Sequence, residues 1–127
     1  MRAVVDSSAW IEWLTETATK DALSASMPSV DTCIVPTIVQ FEVVKWLRRE
    51  RGEQRADAFL AYSNVCIVEP LDTKTAMIAA EISAELKLAM ADAIVLATAR
   101  NAGAMLLTCD AHFEGLADVT YVKKARH

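Results

Sequence analysis

Short apolar runs recur along the chain, each closed by a polar residue or a proline, and between them hydrophobic positions return at helical spacing. Ala3-Val4-Val5 stops at Asp6, Cys33-Ile34-Val35 at Pro36, and Val65-Cys66-Ile67-Val68 just before Pro70. Met105-Leu106-Leu107-Thr108 stops at Cys109-Asp110, and Val119-Thr120-Tyr121-Val122 ends at a basic tail. Runs of this length and composition predict strands buried on both faces. Trp10, Ile11 and Leu14 predict a helix from about Ala9, with Ser7 or Ser8 as its cap. Further helices are predicted over Lys20 to Ser26, from Ile38 to about Arg51 (capped by Thr37, ended by Gly52), and over Glu53 to Tyr62. Asp72 or Thr73 caps the next, which sets Ala76, Ala79, Ile82 and Leu86 on one face. The last, Asp92 to Arg100, is almost wholly apolar and ends at Gly103. Strands alternating with helices imply right-handed crossovers. The predicted fold class is α/β: one domain over residues 1–122, with a central parallel sheet of four to five short strands flanked by helices, and a polar tail over 123–127.

Composition narrows the class. The chain has 127 residues, 54% of them hydrophobic, with only 3 Gly and 3 Pro, which suits one packed core and leaves little room for disorder. Met1 to Asp6 reads as a strand rather than a secretory leader, and no apolar run is long enough for a membrane span. The three cysteines, Cys33, Cys66 and Cys109, are widely spaced and form no CxxC pair, so a reducing, cytoplasmic setting is expected. The net charge of -4 argues against a uniformly basic nucleic-acid binder. It hides a local stripe, however. Lys45, Arg48, Arg49, Arg51 and Arg55 are five of the 13 basic residues, all on one short stretch.

The candidate chemistry is acidic. In open parallel sheets, ligands bind beyond the carboxyl ends of the strands. Asp6 and Asp110 follow two predicted strands, and Asp92 opens a buried helix, where the dipole favours an anion. Glu42 lies within a helix among apolar neighbours. Taken singly, Asp92 reads equally as an N-cap and Asp110 as a turn residue, while Glu42 reads less readily as a solvated helix position. Taken together, the topology brings the four toward one edge. At about 4 Å and an effective dielectric near 20, each close carboxylate pair costs roughly 4 kcal/mol, which protons or a cation must relieve. Carboxylate oxygens select Mg²⁺ or Mn²⁺ over zinc. Such a site needs no His, Cys or Ser nucleophile, in keeping with only two histidines. No GxGxxG occurs, which disfavours a dinucleotide enzyme. Asp6-Ser7-Ser8 lacks the paired acids expected of a phosphatase or receiver domain.

Asp6-Ser7-Ser8-Ala9, Pro36 to Glu42 (PTIVQFE), Ala91-Asp92-Ala93-Ile94 with Ala97-Thr98-Ala99, and Thr108-Cys109-Asp110-Ala111-His112-Phe113 together resemble the PIN-domain ribonucleases. The branch they look most like is that of the VapC toxins of toxin–antitoxin pairs. The resemblance implies a metal-dependent endoribonuclease that cleaves RNA with Mg²⁺ or Mn²⁺. It implies Asp6 and Asp92 as central metal ligands, with Glu42 and Asp110 completing the cluster directly or through water. Ser8 and Thr108 fall where the family often has a hydroxyl that orients the acids; they read equally as a cap and a strand end. A cognate antitoxin and a homodimer are the implied partners. A catalytically weak PIN-like module, acting through its antitoxin and operator complex, is the alternative. One departure stands out: the segment Glu85 to Ala91 lacks the glycine turn often found there.

Lys45 and Arg49 follow Glu42 at helical spacing and share its face. They read either as a contact for RNA phosphates or an acidic antitoxin, or as a solvated face. His112 reads as a surface turn residue that could touch a phosphate. Trp10, Trp13 and Trp46 read as core or dimer packing rather than base-stacking platforms. Lys123, Lys124 and Arg126 belong to the tail; they read as a contact for RNA or, by default, as a frayed terminus.

Overall fold

The computed structural model describes residues 1–125. Of the predicted tail, Arg126 and His127 lie outside the described residues. The elements run in the order β1 (Ala3–Val5), α1 (Ser7–Leu14), α2 (Lys20–Ser24), β2 (Cys33–Pro36), α3 (Thr37–Glu50), α4 (Glu53–Asn64), β3 (Ile67–Glu69), α5 (Thr73–Leu86), α6 (Met90–Asn101), β4 (Met105–Thr108) and β5 (Val119–Tyr121). Among the described residues the sheet has five strands in the order β3-β2-β1-β4-β5, all parallel.

That order sets where a ligand can sit. From β1 the chain winds outward to β2 and β3, then returns across the sheet to β4 and β5. Right-handed crossovers therefore place the helices of the two halves on opposite faces. Consecutive strand residues are buried as a result: Val4 and Val5, Ile34 and Val35, and Leu106 and Leu107. The winding reverses between β1 and β4. This is the crevice where doubly wound sheets hold ligands, and Asp6 and Asp110 follow the two strands that flank it.

The local signals mostly hold, with informative shifts. Asp72 caps α5, accepting from the Thr75 N–H at 2.8 Å. Ser7 and Ser8 do not cap α1; they form its first turn, and Asp6 occupies the N-cap position without a side-chain capping bond. Pro36, not Thr37, precedes α3. Helix α6 starts at Met90 behind Ala89, so Asp92 lies inside its first turn and its carboxylate is not used as a cap. Strand β3 begins at Ile67, two residues later than predicted. In place of the missing glycine turn, Lys87 itself adopts the left-handed conformation (φ 58°) that closes α5.

Candidate metal centre

Asp6 is fixed before its side chain does anything. Its N–H donates to Leu107 O at 2.9 Å, extending the β1–β4 ladder, and its carbonyl accepts from the N–H groups of Ala9 and Trp10 at the start of α1. Asp6 is only 4% exposed. Its Oδ2 accepts from the hydroxyls of Ser8 at 2.8 Å and Thr108 at 2.9 Å. Those same hydroxyl oxygens accept from the backbone, Ser8 from Cys109 N–H and Thr108 from Asp110 N–H, both at 3.0 Å. The end of β1 and the end of β4 are thus tied through one carboxylate and two hydroxyls.

The other acids reach the cleft from separate elements. Glu42, on α3, accepts from the Ser7 hydroxyl at 2.7 Å, a bond that spans α1 and α3. Asp110 opens a 3-10 turn over Ala111–Phe113, where its Oδ1 accepts from the His112 N–H at 2.9 Å. His112 Nδ1 also lies 2.8 Å from that oxygen, and 4.0 Å from Asp92 Oδ2. The ligand atoms of Asp92, Asp110 and His112 all fall within 4.8 Å of one another. All four predicted acids line one cleft of about 420 Å³, and the same cleft takes in Lys45, Arg49 and Lys124.

The electrostatics follow from that crowding. Burial, then the Asp110, Asp6 and Glu42 carboxylates, push the Asp92 carboxyl up to about 6, against a partial offset from His112. Burial also raises Asp6, with a smaller push from Asp110, against the hydroxyls of Ser8 and Thr108, which favour its charged form. The thiols are in no position to contribute. Burial pushes Cys33 up to about 12 and Cys109 up to about 11, so both are protonated near neutrality and offer no soft thiolate. The arrangement gathers carboxylate oxygens, with the His112 imidazole beside Asp110 and Asp92, and a donor set dominated by oxygen suits a hard divalent cation.

The remaining predicted residues sort clearly. Ser8 and Thr108 hold Asp6. Lys45 and Arg49 line the cleft with the acids, Lys45 with its Nζ 5.7 Å from the Phe41 ring and Arg49 with its Nε 3.0 Å from Glu50. Trp10 is core, edge-on to Phe59 at 5.2 Å, whereas half-buried Trp46 lines the cleft. His112 is more than a turn residue, since it bonds Asp110. The Ser7–Glu42 bond had no local signal: 35 residues separate the partners, and only the packing of α1 on α3 joins them.

Residues 3–119 match the model of the PIN domain family, and the chain belongs to that family. No curated protein matches it. Among solved structures, a toxin–antitoxin complex from Klebsiella pneumoniae is similar at a TM-score of 0.82 and 22% identity, over 97% of this chain and 99% of that one. VapC20 from Mycobacterium tuberculosis, described as a sarcin–ricin loop cleaving toxin, is similar at 0.72 and 25%, over 92% and 98%. A DNA-bound VapBC from Salmonella typhimurium is similar at 0.73 and 15%, over 95% and 96%.

Proposed function

We propose that this chain is a metal-dependent endoribonuclease of the VapC type, the toxin of a toxin–antitoxin pair. The observation that carries the reading is the convergence of Asp6, Glu42, Asp92 and Asp110 on one cleft at the β1–β4 switch point. Asp6 and Asp92 would hold Mg²⁺ or Mn²⁺, with Glu42 and Asp110 completing the set directly or through water. The bound cation would supply a lowered pKa for its water and neutralisation of phosphate charge. The chain's own residues do the rest. Ser8 and Thr108 aim Asp6 and favour its charged form against the effect of burial, Ser7 orients Glu42, and His112 holds Asp110. Lys45 and Arg49 draw phosphates toward the acids.

RNA as substrate is supported by family membership and by the likeness to a toxin described as cleaving the sarcin–ricin loop. An antitoxin partner is supported by the toxin–antitoxin complexes among the similar structures. A homodimer and a cytoplasmic setting complete the proposal. Exposed Met77 on α5 and Met90 on α6 offer apolar surface to a second copy. Among the described residues no helix is long and apolar enough to cross a membrane.

Incubation of the purified chain with structured RNAs and Mg²⁺ or Mn²⁺ tests the reading, with Asp6→Asn and Asp92→Asn alongside. Cleavage by the parent and none by either variant is expected; cleavage that survives both variants removes the site. Lys45→Ala with Arg49→Ala should weaken RNA binding and flatten its salt dependence by about 0.7 in log–log slope per lost cation.

A further inference from the structure

We propose that the groove between the turn after β4 and strand β5 is a second subsite for single-stranded RNA, so that a strand crosses the acid cluster with cations on both sides. This rests on the ribonuclease reading above. The groove has a volume of about 470 Å³, and Tyr121 and Lys123 line it. It meets the acid cleft at Ser8, Asp110 and Lys124, which line both depressions. The two are consecutive stretches of one path that runs past Asp110. Lys45 and Arg49 stand on the α3 stretch, and Lys123 and Lys124 on the β5 stretch. The sheet order separates them, since β2, which leads into α3, and β5 lie on opposite sides of the β1–β4 pair.

The backbone that carries the lysines is held in place. Val122 N–H donates to Thr108 O at 2.8 Å and Ala125 N–H donates to Thr19 Oγ1 at 2.9 Å, so the backbone on either side of them is pinned. Tyr121 is paired in register with Thr108, the residue whose hydroxyl bonds Asp6. Fraying is the default for such a segment, and in its described part these two backbone hydrogen bonds tie it to the fold.

Electrostatics call for such a second arm. A strand passing four carboxylates is repelled along its length, and a cation among them neutralises charge only at the phosphate it touches. Phosphates to either side need their own partners. With a net charge of -4 the long-range field gives no help, so those partners must be local. Lysine suits a phosphate as a compact point charge, and a tyrosine ring gives a base a sequence-tolerant stacking face. An acidic peptide would use the lysines but gain nothing particular from the ring.

The test is anisotropy of a fluorescein-labelled, mixed-sequence RNA of about a dozen nucleotides. It is titrated with the Asp92→Asn chain, so that cleavage does not intrude, across a salt series with Mg²⁺. Adding Lys123→Ala and Lys124→Ala should weaken binding roughly tenfold and reduce the salt slope by about 0.7 per lysine. Tyr121→Ala should weaken it about fivefold or more, while Tyr121→Phe, which keeps the ring, binds as the parent does. Unchanged affinity and slope in the lysine variants overturn the proposal. So does a pair of lysine variants that keep RNA but lose a poly-glutamate peptide, because the groove is then a protein site. Absence of RNA binding here, together with absence of cleavage by the unmodified chain, removes the ribonuclease reading and this subsite with it.

Discussion

Asp6 shows how much one buried carboxylate can organise. The Ser8 and Thr108 hydroxyls each have a single proton, and both lie within bonding reach of Asp6 Oδ2. With those protons so placed, the 3.2 Å approach between the two hydroxyl oxygens is a packing contact, not a third bond. Thr108→Val keeps the shape but removes a donor to a buried charge and the acceptor for Asp110 N–H. It should cost about 1–3 kcal/mol by urea denaturation. A cost below about 0.5 kcal/mol would show that the hydroxyl does not hold the carboxylate. At this scale the sequence was legible where chemistry is local. Asp6 and Asp110 could be found because each ends an apolar run, whereas Ser8 and Thr108 came only with the family resemblance. The Ser7–Glu42 bond and the approach of His112 to Asp92 depend on tertiary packing, and no spacing announces them.

The α3–α4 hairpin carries Glu42, Lys45 and Arg49, and its geometry turns on Gly52. With φ 96° and ψ 165°, Gly52 occupies a region that side chains avoid, although an added Cβ would meet no atom within 4 Å. Any penalty there is conformational rather than steric. Gly52→Ala should therefore cost about 1–3 kcal/mol in thermal or chemical unfolding, and lower activity through misplacement of Glu42. A variant as stable as the parent would show that the hairpin tolerates a different turn. Gly52 was readable as a helix stop because its residue type encodes its conformation. Other boundaries had no such mark. The Val65 and Cys66 N–H groups bond back to Tyr62 and Ser63, so the end of α4 claims them before the sheet can, and Val65 is left 64% exposed despite its apolar side chain. The start of α6 was hidden for a related reason: Ala89 has no polar side chain to signal a cap, and Asp92, which does, serves the cleft instead.

For the molecule as a whole, the acid cluster sets function against stability. Asp92 is raised from 3.8 to about 6, so the fold favours its neutral form. Its contribution to stability is therefore fully present below about pH 4 and is lost as pH rises through 6; buried Asp6 is shifted in the same direction. Metal binding runs the opposite way, because a carboxylate must be ionised to act as a ligand. The metal-free chain should then lose thermal stability across this window more steeply than Asp92→Asn, which has no proton to lose there. Comparison with the variant matters, since other carboxylates titrate nearby. Added Mg²⁺ or Mn²⁺ should raise the melting temperature of the parent far more above pH 6 than below pH 4, and that of the variant much less. The measurement is a set of melting curves for both chains against pH, with and without metal. Parallel curves for the two chains, or a metal effect that ignores pH, would mean that the carboxylates do not share one cation. A protein whose most unfavourable charges occupy the crevice at its switch point would then have no evident reason to keep them there.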